Sequence, residues 1–274
     1  MAMEQQTKKS NPFTELLDLP NDSPKKTLFV AIMLCLVCSI LVAISAVALK
    51  PQQLANKEAD IKKNILAVTG LLADDTDVNK AFKRFEVKIV DLATGKYSDI
   101  EPNTYDQYKA AKDPARNVIL TAEQDRANIR KRAKLATVYL LKENDVVKQV
   151  VLPVHGYGLW STLYGFISLE SDLNTIGGLQ FYAHAETPGL GGEVDNPSWR
   201  DQWKGKKAFD DQGNVKIKLI RGKVDYTQAG AEHQIDGLSG ATLTGNGVSN
   251  LVNYWLGDHG FGPYLTKMRS GTGQ

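Results

Sequence analysis

This chain is short of the residues that the commoner catalytic chemistries need. Two cysteines occur in 274 residues, Cys35 and Cys38, and both fall inside an uncharged apolar stretch, so nothing after Leu49 can form a thiolate site or a disulfide. A C-x-x-C pair is open to a metal or disulfide reading; two small apolar side chains on a lipid-facing helix is the plainer one. Histidines number four. His184 and Glu186 could supply two metal ligands, but no third His, Cys or carboxylate follows at a telling spacing. A GxxxxGK phosphate loop and a dinucleotide fingerprint are both absent. Gly237-Leu238-Ser239-Gly240 continues with Ala241, which fails the G-x-S-x-G pattern of a nucleophile elbow. Charge is balanced as well, 33 Lys and Arg against 31 Asp and Glu, and a net of +2 gives no field that would favour nucleic acid.

What is present begins with Thr27–Leu49, 23 residues without a charge. As a helix this spans about 34 Å, enough for a bilayer core, and predicts one transmembrane helix after a short N-terminal segment, 1–26. Ala46 and Ala48 resemble a signal-peptidase site. The apolar run is too long for a signal peptide and follows a long polar leader, so an uncleaved anchor is expected. Lys8, Lys9, Lys25 and Lys26 before the span balance Lys50, Lys57, Lys62 and Lys63 after it, so the positive-inside count leaves the orientation open.

Residues 50–75 read as a juxtamembrane helical connector. Asp60 is placed to cap a helix with an apolar stripe of Ile61, Ile65, Leu66 and Val68, and Gly70 stands near its end. A single domain is expected over 76–274. Strand patterns fall at 85–90, at 136–142 and 146–154 as a hairpin, and at 164–169, 179–186 and 215–220. Helical spacing appears at 196–205 and after Thr244, where Val248, Leu251, Val252 and Trp255 recur. Strands and helices mix without a βαβ rhythm or an internal repeat, which predicts an α+β fold around a mixed, mostly antiparallel sheet with flanking helices. The basic run 126–134 reads as a solvated face, with headgroup contact as the alternative.

Three glycine-rich segments lie within 154–250. GYGLW, 156–160, turns the chain to deliver an aromatic. HAETPGLGG, 184–192, sets His184 and Glu186 on one face of a strand end and turns at Pro188-Gly189. DGLSGATLTG, 236–245, places Ser239, Thr242 and Thr244 among residues too small to obstruct an approaching group, just before a predicted helix whose N-terminus suits a phosphate. A helix cap at Thr242 or Thr244 would explain the hydroxyls but not the whole combination.

Asp236-Gly-Leu-Ser-Gly-Ala-Thr242 matches the D-x-x-[ST]-G-A-[ST] flavinylation motif of the FMN-binding domain family, and HAETPGLG is similar to that family's ring-contacting segment. KKTLFVAIMLCLVCSILVA, KKNILAVTGL, GYGLWSTLYGF and YWLGDHGFGPYL resemble the C subunit family (NqrC) of the bacterial sodium-translocating NADH:quinone reductases almost end to end. The G subunit of the related Rnf complex shares the domain and is the alternative. The resemblance implies FMN joined through its phosphate to Thr242 by a periplasmic flavin transferase that uses FAD. It also implies a ring contacted by Trp160, His184, Glu186, Thr187, Leu190 and Gly191, with Lys223 near the phosphate and Ser239, Gly240 and Ala241 also at the cofactor. Asp236, Ser239, Gly240, Ala241 and Thr244 would be read by the transferase. The implied setting is the bacterial inner membrane, with segment 1–26 cytoplasmic, the domain periplasmic, membrane lipid around the anchor and the other reductase subunits as electron-transfer partners. The competing class is a membrane-anchored docking domain without redox activity.

Overall fold

The structure, a computed structural model, describes residues 16 and 18–271, so most of the expected 1–26 segment, with Lys8 and Lys9, lies outside the described residues. Contacts divide the chain into two units, Met1–Glu58 and Ala59–Gln274. Helix α1, Pro24–Val68, is continuous over 45 residues. Its apolar part is long enough to cross a membrane, and every residue from 30 to 58 is exposed, as lipid-facing side chains would be. Pro51 is accommodated inside the helix, where it has no N–H to donate.

The connector starts no new helix. Asp60 is an interior residue of α1 whose carbonyl accepts the Asn64 side-chain amide at 2.7 Å, so it caps nothing. The helix ends as its glycine suggests: Gly70 takes φ +73°, Gly70 N–H bonds the Ala67 carbonyl and Leu71 N–H bonds the Leu66 carbonyl, a Schellman motif.

The rest of the second unit comprises α2 (Val78–Phe82), β1 (Phe85–Asp91), β2 (Tyr97–Ser98), α3 (Gln107–Lys112), β3 (Asn117–Ile119), β4 (Lys131–Ala133), β5 (Leu135–Glu143), β6 (Val146–Tyr157), β7 (Thr162–Glu170), β8 (Ile176–Ala183), α4 (Pro197–Asp201), β9 (Lys218–Leu219), β10 (Gln234–Ile235), α5 (Thr242–Leu256) and α6 (Gly262–Arg269). The main sheet runs β2-β1-β5-β6-β7-β8, every neighbour antiparallel. A small parallel pair, β9 with β10, makes the fold mixed α+β.

Alternation along the strands gives the sheet two apolar faces. On β6, Val150, Leu152 and Val154 join a large cluster with Val248, Leu251, Val252 and Trp255 of α5. Val151 turns the other way and meets Ile65, Leu66 and Val68 from the end of α1, together with Phe85, Leu141 and Phe166. Ser168 of β7 donates its hydroxyl to the Val68 carbonyl at 2.8 Å, one of the acceptors a helix C-terminus leaves over. The packed unit thus begins within the expected connector rather than near residue 76. Pro153 is tolerated in β6 because the β5 ladder has already ended at Val151.

Three sequence expectations are corrected. The strand pattern at 215–220 forms a ladder only at Lys218–Leu219, with a lone antiparallel bridge from Val215 to Phe209; Lys216 and Ile217 bond the Ala208 carbonyl and Leu219 N–H bonds the Ser249 hydroxyl, so the alternation there is of burial, not of a continuous ladder. The helix at 196–205 shrinks to α4. The basic run 126–134 contains strand β4, in which Arg132 is buried and donates to the Ala133 carbonyl at 2.9 Å, so it is not wholly a solvated face.

Candidate functional site

Glycines set how closely the three segments meet. A Cβ on Gly156 of β6 would stand 2.5 Å from Leu251 Cβ, and one on Gly247 of α5 would stand 2.5 Å from the Tyr157 carbonyl oxygen. With hydrogen there instead, α5 lies directly against the end of β6, held further by Trp255, whose indole N–H donates to the His155 carbonyl at 2.6 Å. The first turn of α5 is thereby brought beside the 158–161 turn joining β6 to β7.

β8 stops at Ala183, so His184 and Glu186 lie beyond the strand rather than on its face. His184 Nδ1 accepts the Glu186 N–H at 3.2 Å and its Nε2 meets Asp195 at 2.9 Å. Both ring nitrogens are therefore committed to shaping this loop. The Glu186 side chain turns inward and is 5% exposed. Its Oε1 accepts N–H groups of Trp160 and Ser161, each at 3.0 Å, and its Oε2 accepts the Thr244 hydroxyl at 2.6 Å; Leu159 N–H reaches the same carboxylate at 3.2 Å. Burial works to raise the Glu186 pKa, but the Thr244 hydroxyl and the backbone amides outweigh it and hold the group ionised below its usual range.

Gly191 completes this arrangement, since a Cβ there would lie 2.6 Å from Thr244 Oγ1 and 2.9 Å from Glu186 Oε2. Next to it Leu190 is 43% exposed, and its Cδ2 would be 2.9 Å from a Cβ on Gly240, which has φ +71°. Thr187 is exposed, and its carbonyl accepts the N–H groups of Leu190 and Gly192.

In the third segment Thr242 is the first residue of α5, not a residue before it, and is exposed. The N-cap is Ala241, and no side chain caps the helix, so the hydroxyls are not there for capping. Ser239 and Gly240 are exposed while Ala241 is buried. Thr244 is only 1% exposed, which removes it from the set a second protein could read directly. Asp236 Oδ1 accepts Val224 N–H at 2.8 Å, and Gly237 N–H bonds the Gly222 carbonyl at 2.8 Å, so the loop carrying exposed Lys223 is tied to the motif. Trp160, at 66% exposure, Leu190 and Leu243, at 59%, leave an apolar surface on these three adjoining segments.

Sequence reading missed Ser161. Its amide bonds Glu186, and its hydroxyl accepts Ala185 N–H at 2.7 Å, closing the hairpin onto the 184–192 loop. It also missed the steric roles of Gly158 and Gly247, although the density of glycine in GYGLW and TLTGNG was a signal of close packing.

The model of the FMN-binding domain family matches residues 158–257, a span holding all three segments but the first residues of the first. The C subunit of the Na(+)-translocating NADH-quinone reductase from Vibrio vulnificus is 51% identical over 252 residues, 92% of this chain and 98% of that protein. Its Pseudomonas aeruginosa counterpart is 49% identical over 255 residues, 91% of this chain and 98% of its own length. The crystal structure of Shewanella oneidensis NqrC superposes with a TM-score of 0.72 at 33% identity, covering 79% of this chain and 99% of that one. The chain belongs to the NqrC family, the C subunits of the Na(+)-translocating NADH-quinone reductases. Between NqrC and the Rnf G subunit, the likeness therefore falls to the former.

Proposed function

We propose that this chain is a membrane-anchored carrier of covalently held FMN, with Thr242 as the attachment residue, relaying electrons within a reductase that couples NADH oxidation by ubiquinone to sodium export. The observation that carries the proposal is Thr242 itself: an exposed hydroxyl at the first residue of a helix with no side-chain cap, surrounded by glycine and alanine. Bound FMN would supply the redox chemistry at this site.

The residues present fit such a group. Uncapped first-turn amides of α5 favour a phosphate beside Thr242, and Lys223, held close by Asp236 and Gly237, adds a cation. Trp160, Leu190 and Leu243 offer apolar surface for a flat ring and keep water from one side of it. Glu186 and His184, satisfied within the protein, hold the loops in place. Attachment is a phosphoryl transfer: the Thr242 oxygen bonds the FMN phosphorus of FAD, the pyrophosphate link breaks, AMP departs and the hydroxyl proton is lost to base. The small residues around Thr242 admit the transferase that performs it, with Asp236, Ser239, Gly240 and Ala241 at the approach.

α1 fits a single-pass anchor in the bacterial inner membrane, with the folded unit on the periplasmic side where an exported transferase would act. Its partners are then membrane lipid, the transferase and the other reductase subunits. Intact mass of the full chain from cells containing the transferase tests the reading. A gain equal to one FMN less one water is expected, and its absence after Thr242→Ala. A label that survives that substitution removes Thr242 as the attachment residue, and a purified chain without flavin returns the domain to the docking class.

A further inference from the structure

Glu186 and Thr244 are the most deeply buried polar groups of the site, and neither is free to face a ligand. Their hydrogen bond, 2.6 Å between Oε2 and Oγ1, joins two segments 58 residues apart. On the far side the same carboxylate gathers the amides of Leu159, Trp160 and Ser161. Thr244 lies two residues beyond Thr242, and Trp160 stands at the tip of the hairpin. One carboxylate thus spans the helix turn that bears Thr242 and the turn that bears Trp160.

We propose that Glu186 and Thr244 are positioning residues that fix the attachment point at Thr242 relative to Trp160, and that Thr244 follows the motif for this reason rather than as a residue the transferase reads. The proposal rests on attachment at Thr242. Three observations support it. Thr244 is almost inaccessible, so reading it directly would require α5 to unwind. Charge-assisted hydrogen bonds are the stronger kind, and here several converge on one buried acceptor. Gly191 and Gly158 leave the space that the pair fills: a Cβ on either would lie within 3.0 Å of a Glu186 carboxylate oxygen, and one on Gly191 would also crowd the Thr244 hydroxyl. A tether at Thr242 alone allows a cofactor to swing. Fixing the turn that bears it against the hairpin restricts that swing before any contact with the ring is counted.

The test uses the full chain in detergent and compares Thr244→Val, which keeps shape without the hydroxyl, with Thr244→Ser, which keeps the hydroxyl. Glu186→Gln is the third variant. On flavin-free protein, hydrogen exchange of the amides at 159–161 and 245–248 should quicken about tenfold in Thr244→Val and Glu186→Gln, the effect of losing about 1.4 kcal/mol, and stay near the parent rate in Thr244→Ser. On labelled protein, intact mass should show all three variants loaded with flavin. Fluorescence anisotropy of the attached flavin should fall in Thr244→Val and Glu186→Gln and be restored in Thr244→Ser. Parent behaviour in Thr244→Val by both measures overturns the proposal, as does a Thr244→Ser variant no better than Thr244→Val. Loss of labelling in Thr244→Val with unchanged exchange would make Thr244 a recognition residue and overturn it too. If the parent chain carries no flavin, attachment at Thr242 fails, and the exchange rates alone decide whether the two segments are locked.

Discussion

Asp236 and Val224 are joined by a hydrogen bond from the Val224 amide to the Asp236 carboxylate, 2.8 Å long, so the first residue of the flavinylation motif is occupied in holding a neighbouring loop. Asp236→Ala should therefore cost about 1–2 kcal/mol in urea unfolding, while Asp236→Asn, whose side-chain oxygen still accepts the amide, should stay within about 0.5 kcal/mol of the parent. Equal stability of Ala and Asn variants would show that this bond contributes nothing. Loss of labelling in a fully stable Asn variant would assign the carboxylate charge to the transferase.

Two nearby glycines should respond very differently to alanine. Gly189 has φ +75° but no atom within 4 Å of a Cβ, so Gly189→Ala meets backbone strain alone, about 1 kcal/mol. Gly191→Ala meets the Thr244 hydroxyl and the Glu186 carboxylate and should cost about 2–3 kcal/mol. Urea midpoints of the two variants, taken together, check both figures.

The end of α1 contributes core to the folded unit. Ile65 and Leu66 are fully buried and Val68 nearly so, each worth about 1.5–3 kcal/mol of apolar burial. A soluble chain beginning at residue 59 should unfold cooperatively with near-native stability, whereas one beginning at residue 76 should be several kcal/mol weaker or fail to fold. Denaturant titration of the two fragments decides it, and equal midpoints would contradict the packing.

His155 supplies a pH dependence. Burial among Tyr164, Tyr108 and Trp255 lowers its pKa from 6.5 to about 4, against a smaller opposing pull from Asp125. The unfolded chain thus takes up this proton first as the solution is acidified. The contribution of neutral His155 is complete above pH 6.5 and declines as pH falls toward 4, by about 3 kcal/mol in all. His155→Phe should flatten the stability profile over that interval, and an unchanged slope would mean that another group titrates there.

Much of the scaffold was legible because its periodicity and its packing agree. The β5–β6 hairpin, β1, β7 and α5 each bury the residues their spacing singles out, and the apolar run forms the exposed part of α1. Legibility failed where an alternating pattern is satisfied without a ladder, as at Ile217, which is fully buried in a segment whose backbone bonds go elsewhere. Within the candidate site, small neighbours marked out the segment of Ser239, Thr242 and Thr244, and the structure leaves Thr242 exposed at the first residue of α5. The work of Glu186 could not be read, because its partners at 159–161 and 244 are distant in sequence and three of them are backbone amides, which no residue pattern announces.

Neither border of the sheet offers a long open strand edge without cover or charge, and this restricts how the unit can meet its neighbours. Along β8, the segment 205–208 exchanges backbone bonds with Asn174 and Ile176, taking up part of that border. At the opposite border β2 pairs at just two positions, and the open half of β1 carries Glu86 and Lys88, ion-paired to each other and, through Glu86, to Lys142. Borders that are short, partly covered and charged are poor templates for an added strand. Association with other proteins must then rest on side chains and surface shape, which leaves each partner free to part from the domain without unzipping a ladder of backbone bonds.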